Sequence, residues 1–445
     1  MNITQKMYNL TMKPHRDLYT KIDILNFDMF TIGELSGTVV GGNISINADS
    51  DIRRTCSITT CLRKENYNIR FLINKYIKIW IGLKDIDDNI EWFNQGIYII
   101  NQPTLKYGKS TRELSFSCTD LMSKLTGTRG GVIGEFETKI AQGSKMRDVI
   151  INLLKLGNFN KYVINLRSNE TIIPIDLKFN IDSTLYDMLS EIRKIYAFYQ
   201  IYFDVDGVFH FEPIPKKVDE LPIVTNEMFQ KLLISYQDSL DFEKIKNSIE
   251  LYGKTYDPQY YGEINIINGL YSLDIKSLLS LDNYTIVGVQ FNQINDNINK
   301  IKINNFGTFS LDTMLSIRPN TYYVLEFVDN KATIIGEKQI KINVKDTDEK
   351  SIFNIERIGE VKEILSGGEY DMIPNIKLAK DRALYELNQK TQTQNNINIE
   401  LVPIYYLDVY KLISLGDSAY MLQSIETDLS YEGTQTIRGI KYYAE

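Results

Sequence analysis

The chain has 445 residues, of which 43% are hydrophobic and 24% are charged, a composition typical of soluble globular proteins with more than one domain. Its net charge of −7 argues against a protein that coats a phosphate backbone, because that task needs surplus lysine and arginine. The two histidines, His15 and His210, are too far apart for an HExxH zinc site, and Cys–His or Ser–His catalysis would have to use one of them.

Targeting and redox features are sparse. Cys56, Cys61 and Cys118 are too few for a closed disulfide framework, which favours free thiols in a reducing compartment. The N-terminus lacks the apolar core of a signal peptide, and no run of about 18 apolar residues could span a membrane. We therefore expect the chain to be made and folded in a cytoplasm.

The first 120 or so residues alternate between apolar and polar side chains, as antiparallel strands do. Residues 34–48 and 51–62 are predicted to form a hairpin that bends at the ADSD sequence. One face of this hairpin is predicted to be buried. Its residues are Val40, Ile44, Ile46, Ile52, Cys56, Ile58 and Leu62.

Arg53 and Arg54 follow the bend of this hairpin in GGNISINADSDIRRTCSITT. Consecutive strand residues face opposite sides, so Arg54 is expected on the buried face and Arg53 on the outer face. An ion pair on a solvated face is the simplest interpretation, a contact with another subunit is the sharper alternative, and nucleic-acid contact is the least favoured.

The rest of the N-terminal part contains further strand patterns and one short helix. Strands are predicted at 76–83 and 112–119, and two short strands within 91–103. TDLMSKLTG is predicted to be a short helix with Thr119 or Asp120 as its N-cap.

The middle of the chain has two helical patterns. One covers 144–157, with Ser144 as N-cap and Gly157 as the stop, and the second leads into a hairpin that turns at Asp206-Gly207. This helix-and-hairpin unit closes a small α/β domain near Pro215.

The second half is again rich in strands. After a short helix (NEMFQKLL), strands are predicted in IKNSIELYG, YTIVGVQF, KIKIN, TYYVLEFV and ATIIGEKQIKINV. A long helix at 375–391 precedes the final strands, which turn at Glu432-Gly433. The predicted domains are 1–126, a β-barrel; 127–220, an α/β domain; 221–374, a second barrel-like region; and 375–445, a helix with C-terminal strands. The fold class is mainly β with α+β parts, and the domains can be discontinuous in sequence.

Three short segments partly match known binding motifs, but each lacks the spacing or the structural context that the motif requires. YGKST (107–111) lacks the first glycine of a phosphate loop, and GTRGGVIGE (127–135) has neither dinucleotide-loop spacing nor a strand leading into a helix. DVDG (204–207) opens like a calcium loop but is flanked by strands, which favours a hairpin turn. No catalytic residue, metal ligand or cofactor site is therefore predicted, and we expect a protein that is not an enzyme.

The order of several stretches resembles the baseplate hub proteins of tailed phages and phage-tail-like particles from low-GC Gram-positive bacteria, including the late-control and spike-base proteins of contractile injection systems. These stretches are GGNISINADSDIRRTCSITT, WFNQGIYIINQPTL, RELSFSCTDLMSKLTG, DVDGVFHFEPIP, IKNSIELYG, KLAKDRALYELNQKT and VPIYYLDVYKLISLGD.

The resemblance implies two tube-like antiparallel β-barrel domains in each subunit and a homotrimer that adapts the sixfold tail tube to the threefold spike. The implied partners are the tail tube or tube initiator protein, the central spike, the tape-measure protein and baseplate wedge components, with DNA only as passing cargo. The implied location is the virion tail baseplate, assembled in the bacterial host cytoplasm. Many members carry a C-terminal cell-wall hydrolase, and we expect none here, because the sequence stops at KYYAE just after the last predicted strand.

Three other functions stay open. The tail-tip protein of a non-contractile phage shares this fold at its N-terminus. A peptidoglycan-degrading enzyme would clear cell-wall zymograms, and a carbohydrate-binding adhesin would bind host cell wall saturably.

Overall fold

The structure of the chain is a computed structural model, and it describes residues 4–35, 37–63, 68–108, 111–134, 137–168, 171–215, 223–240, 242–349, 351–392 and 395–442. The chain forms two compact units, each discontinuous in sequence. Unit 1 comprises Met1–Arg193, Tyr199–Phe242 and Gln392–Glu445, and unit 2 comprises Lys194–Phe198 and Glu243–Thr391. The domain boundaries at 126, 220 and 374 stay predictions.

The strands of the described residues are numbered in chain order. Strands β1 to β8 are Leu18–Leu25, Thr31–Glu34, Gly37–Asn47, Arg54–Leu62, Tyr76–Lys84, Ile90–Ile100, Thr104–Tyr107 and Arg112–Asp120. Strands β9 to β15 are Thr138–Ile140, Tyr162–Ile164, Leu177–Phe179, Tyr199–Phe203, Phe209–Pro213, Leu233–Leu240 and Ser248–Thr255. Strands β16 to β22 are Tyr260–Ile267, Leu270–Leu273, Ile286–Phe291, Lys300–Ile303, Gly307–Thr313, Tyr322–Val328 and Lys331–Glu337. Strands β23 to β28 are Gln339–Lys345, Lys362–Leu365, Asn395–Leu401, Leu412–Leu415, Ser418–Asp428 and Gln435–Tyr442.

Helices are fewer than strands. Helices α1 to α6 are Gln5–Thr11, Met146–Leu156, Leu185–Ile195, Asn226–Leu232, Ile355–Ile358 and Ile376–Gln392. Short 3-10 helices lie at Ile69–Asn74, Leu121–Lys124 and Gly368–Met372. None of the helices in the described ranges is long and apolar enough to cross a membrane.

Unit 1 is built on a 13-stranded sheet with the order β14-β25-β28-β27-β3-β4-β8-β6-β5-β1-β2, to which β26 and β7 add side pairings. Each of these pairs is antiparallel, as predicted. The C-terminal strands thus lie in the same sheet as the N-terminal ones, because β27 pairs with β3. The predicted pair of short strands in 91–103 is wrong: a single strand, β6, runs to Ile100, and Gln95 is the extra residue of a β-bulge within it, between the Ile79–Gly96 and Trp80–Asn94 pairs.

The predicted hairpin forms between β3 and β4, with Ile44 opposite Cys56. Its predicted buried face is confirmed except at Val40, which is 52% exposed, and at Ile52, which is only half-buried. Val40 is the extra residue of a β-bulge between the Val39–Thr60 and Gly41–Thr59 pairs, and an extra residue breaks the period of two. Gly42 follows the bulge at φ 140°, where a Cβ would overlap the backbone oxygen of Ser57.

Smaller α/β parts complete unit 1. The β12–β13 hairpin pairs antiparallel, and β13 also pairs parallel with β10. Its turn at 204–207 is a hairpin bend, as predicted, with Gly207 at φ 73°. Helix α2 stops at Gly157 as predicted, but the expected N-cap Ser144 is wrong: Lys145 holds the cap position without a side-chain cap bond.

Unit 2 contains a closed barrel with the order β16-β17-β19-β20-β22-β21-β18, and β18 pairs back to β16. Three of its pairs, β16–β18, β17–β19 and β20–β22, are parallel, so the barrel is mixed and differs from the predicted antiparallel barrel. A separate three-stranded sheet has the order β23-β15-β24. The predicted fold class, mainly β with α+β parts in several domains, is confirmed.

Candidate functional site

The two adjacent arginines lie together in a buried polar cluster of unit 1. Arg53 is 4% exposed and Arg54 is 1% exposed, so the expectation that Arg53 lies on a solvated outer face is wrong. Residues of β12 and of the segment just before β26 supply partners to both side chains at this end of the sheet. Alternation along the strand places Arg53 on the outer face of the sheet, but at this end of the sheet that face is covered by other parts of the chain rather than by water.

Arg54 is held by three different groups. Its Nη2 donates to the Asp408 carboxylate at 2.6 Å, and its Nη1 donates to the backbone carbonyl of Phe203 at 3.0 Å. Its backbone amide donates to the Asp120 carboxylate at 3.0 Å. Burial is the largest single influence and would lower the pKa of Arg54, but Asp408 and the weaker contributions of Tyr98, Asp120 and Tyr202 together outweigh it, so the pKa is raised.

Asp120 joins the end of β8 to the following 3-10 helix. Its second carboxylate oxygen accepts from the backbone amide of Met122 at 2.9 Å, so Asp120 is the predicted N-cap. Burial raises the pKa of Asp120 to about 6, although the backbone amides of Arg54 and Met122 and the arginine charges oppose that rise.

This raised pKa predicts a pH dependence of stability. Between about pH 4 and pH 6 the folded chain keeps a proton on Asp120 that the unfolded chain has released, so this group makes the free energy of unfolding fall as pH rises. Asp120→Asn cannot titrate. As the pH rises from about 4 to about 6, we expect the free energy of unfolding of the wild type to fall relative to that of Asp120→Asn. Urea unfolding of both proteins at these two pH values measures the difference. A stability difference that stays constant across the window would contradict the assignment.

Arg53 is stacked rather than ion-paired. Its guanidinium carbon lies 3.9 Å from the ring centre of Tyr202 and 5.5 Å from that of Tyr410. Its Nη2 donates to the side-chain oxygen of Gln200 at 2.9 Å. Burial, together with the adjacent charge of Arg54, lowers the pKa of Arg53.

The stack continues through the β12–β13 hairpin. The Tyr202 ring lies 4.7 Å from the His210 ring at an interplanar angle of 12°. His210 lies between Asp204, 3.3 Å from its Nε2, and Glu212, 3.5 Å from its Nδ1. Burial opposes the imidazolium charge, but these carboxylates outweigh it and raise the pKa of His210 to about 9. Tyr410, Arg53, Tyr202 and His210 thus alternate aromatic rings with cations.

This arrangement is suited to holding parts of the chain together. Every charged head in it has a neighbour of this chain within contact distance. In the described residues, no group of three or more His, Cys, Asp or Glu could hold a metal ion. The cysteines are free: Cys56 lies buried opposite Cys118, and Cys61 is half-buried on the other face of β4.

Sequence reasoning placed Arg54 on the correct face but missed its partners. Asp408 is 354 residues away in sequence, and Gln200 is 147 residues from Arg53. No local pattern marks these residues as partners. The predicted contact of Arg53 or Arg54 with another subunit stays a prediction, and both side chains have internal partners as well.

Comparisons with known proteins concern mainly the fold. Residues 350–445 match the family model described as "Domain of unknown function (DUF5048)". No curated protein matches the chain. The 43 kDa tail protein of prophage MuSo2 from Shewanella oneidensis is 10% identical with a TM-score of 0.53, and the match covers 94% of this chain and 98% of that chain. The tail protein from Neisseria meningitidis MC58 is 11% identical with a TM-score of 0.52, and the match covers 95% of this chain and 97% of that chain.

These likenesses extend over nearly the full length of all three chains, so they cover both units and not one shared domain. At 10% and 11% identity, the similarity lies in the fold rather than in particular side chains. The chain therefore has the fold of phage-tail proteins, which confirms the fold that the sequence resemblance implied.

Proposed function

We propose that this protein is a structural baseplate hub of a phage tail or a phage-like contractile particle. The observation that carries this proposal is the likeness to two tail proteins over 94% and 95% of this chain. In the proposed assembly, three copies surround the tail axis, adapt the sixfold tube to the threefold spike and line the central channel. The protein acts by shape and contact and not as an enzyme.

The proposed partners follow from that place in the particle. They are the tail tube or tube initiator protein, the central spike, the tape-measure protein and the baseplate wedge components. DNA would only pass through, and the net charge of −7 supports passage over retention, because retention of duplex DNA depends on surplus basic residues. Assembly would take place in the bacterial host cytoplasm before the protein becomes part of the virion tail.

The buried arginine site supports a rigid structural role. Arg54 connects β4, the end of β12 and Asp408, three parts of unit 1 that are far apart in sequence. A subunit that transmits load between a tube and a spike needs such cross-connections. In this proposal, any contact of Arg53 or Arg54 with another subunit is made at the rim of the same cluster.

Quantitative mass spectrometry of purified particles tests the proposal. We expect three copies of this chain per particle, next to sheath and tube proteins. Particles that contain this chain but no sheath protein would favour the tail tip of a non-contractile phage. Particles without the chain would overturn the proposal.

A second measurement addresses the enzyme alternative. We expect the purified chain to leave cell-wall zymograms uncleared, because the proposed role is structural. The same gel loaded with a known cell-wall hydrolase is the positive control. Clearing by this chain, lost on mutation of a single carboxylate, would establish a hydrolase instead.

A further inference from the structure

The barrel of unit 2 carries two exposed tyrosines on its outer surface, Tyr261 in β16 and Tyr322 in β21. Tyr261 is 46% exposed and Tyr322 is 54% exposed. Both strands pair with β18, where Tyr261 lies opposite Gly288 and Tyr322 lies opposite Gln290. Gly288 and Gln290 alternate along β18 with residues of the barrel core, so all four positions belong to the outer face of the barrel.

Gly288 determines where the Tyr261 ring can lie. A Cβ atom at this glycine would come within 2.4 Å of Cδ1 and 2.5 Å of Cε1 of Tyr261, so the ring lies over Gly288 in space that any larger residue would fill. The backbone of β18 covers one face of the ring and leaves the opposite face for a ligand. The Tyr322 ring lies beside it, with 6.4 Å between the ring centres and an interplanar angle of 83°. We call these two nearly perpendicular rings the tyrosine pair.

Planar polar side chains surround the tyrosine pair. Gln290 donates from its Nε2 to the Oδ1 of Asn320 at 3.4 Å, a bond that uses neither the oxygen of Gln290 nor the nitrogen of Asn320. The Tyr261 hydroxyl donates to the Asp257 carboxylate at 3.2 Å. Glu263 lies opposite Gln290 on the same face of the barrel. Amides and carboxylates grouped in this way can donate to and accept from several hydroxyl groups of one ligand.

This combination of groups favours a neutral sugar as the ligand. The face of a tyrosine ring carries partial negative charge and attracts the C–H groups on the apolar side of a pyranose ring, while amides and carboxylates bind its hydroxyls. The carboxylates of Asp257 and Glu263 would repel a phosphate backbone, which disfavours a stacked nucleic-acid base. The sequences of β16, β18 and β21 (YYGEINII, IVGVQF and YYVLEFV) contain no lysine or arginine, so these strands offer an acidic sugar no cation.

The size of the tyrosine pair favours a small ligand over a protein partner. A tyrosine buries about 150–250 Å² when it is fully covered, so two half-exposed tyrosines offer roughly 200 Å². A stable protein interface buries about 800 Å² on each partner. The aromatic surface here is therefore sufficient for a short oligosaccharide and too small to anchor a stable protein contact.

We propose that the tyrosine pair is a binding site for neutral pyranose oligosaccharides. One sugar ring stacks on the free face of Tyr261 and contacts Tyr322, and its hydroxyls bond to the side chains of Gln290, Asn320 and Asp257. Such a ligand could be a chain of N-acetylated aminosugars or a chain of plain hexoses, because both present the same C–H faces and hydroxyls. This inference goes beyond the proposed structural function and does not depend on it.

Saturation-transfer NMR of the full chain with two probes, the trisaccharide of N-acetylglucosamine and maltotriose, tests the site and separates the two kinds of sugar. We expect transfer to the ring C–H protons of at least one probe. A titration of that probe should show binding weakened about fivefold to tenfold in Tyr261→Ala and in Tyr322→Ala, because each loses an aromatic contact. Tyr261→Phe keeps the ring and should keep most of the binding. Gly288→Ala should weaken binding, because its Cβ displaces the Tyr261 ring.

Tyr107→Ala is the matched control, because Tyr107 is 59% exposed in β7 of unit 1. We expect this variant to bind like the wild type, and circular dichroism checks that every variant keeps its fold. Absence of transfer to both probes would overturn the inference, and so would binding that persists unchanged in Tyr261→Ala and Tyr322→Ala. Self-association of the chain that either alanine variant abolishes would show a protein contact instead and would overturn it as well.

Discussion

Replacing Arg54 with methionine is expected to lower the free energy of unfolding by about 3 kcal/mol, the lower end of the range for breaking a buried ion pair. Arg54→Met removes the charge of Arg54 that favours the buried Asp120 carboxylate and leaves the Phe203 carbonyl without its donor. The loss falls at the lower end because the Asp408 side chain is 39% exposed and can regain water. Urea unfolding followed by circular dichroism measures the change.

Arg438→Met is the matched control for this prediction. Arg438 lies in the same sheet and pairs with Asp49 at 2.7 Å, but the two side chains are 42% and 57% exposed. Removing an exposed pair changes stability by about 0–1 kcal/mol. Arg53→Met is also expected to cost less than Arg54→Met, because Arg53 has stacking partners and one amide oxygen rather than a carboxylate. Equal losses in Arg54→Met and Arg438→Met would show that the buried pair has no special role.

Local features could be predicted from the sequence where the alternation of a strand or the capping residue of a helix determines them. Alternation identified the β3–β4 hairpin, the carboxylate of Asp120 marked a helix start, and Gly157 marked a helix end. The bulge at Val40 escaped because one extra residue in a strand leaves no signature in an alternating pattern.

Long-range features were not readable for a different reason. The parallel pairs of the barrel depend on which strands meet after a crossover, and alternation is the same for parallel and antiparallel edges of a half-buried strand. The burial of Arg53 depends on Gln200 and Tyr202, which a hairpin far along the chain brings to the outer face. The overall fold was accessible only through the resemblance of several stretches in order, and it matches the fold observed.

The most direct test of the proposed function is a cryo-EM reconstruction of the tail end of assembled particles. We expect three copies of this chain, each of 51.5 kDa, in a ring between the tail tube and the spike. Density for this chain outside that position, or a particle end that lacks it, would contradict the account.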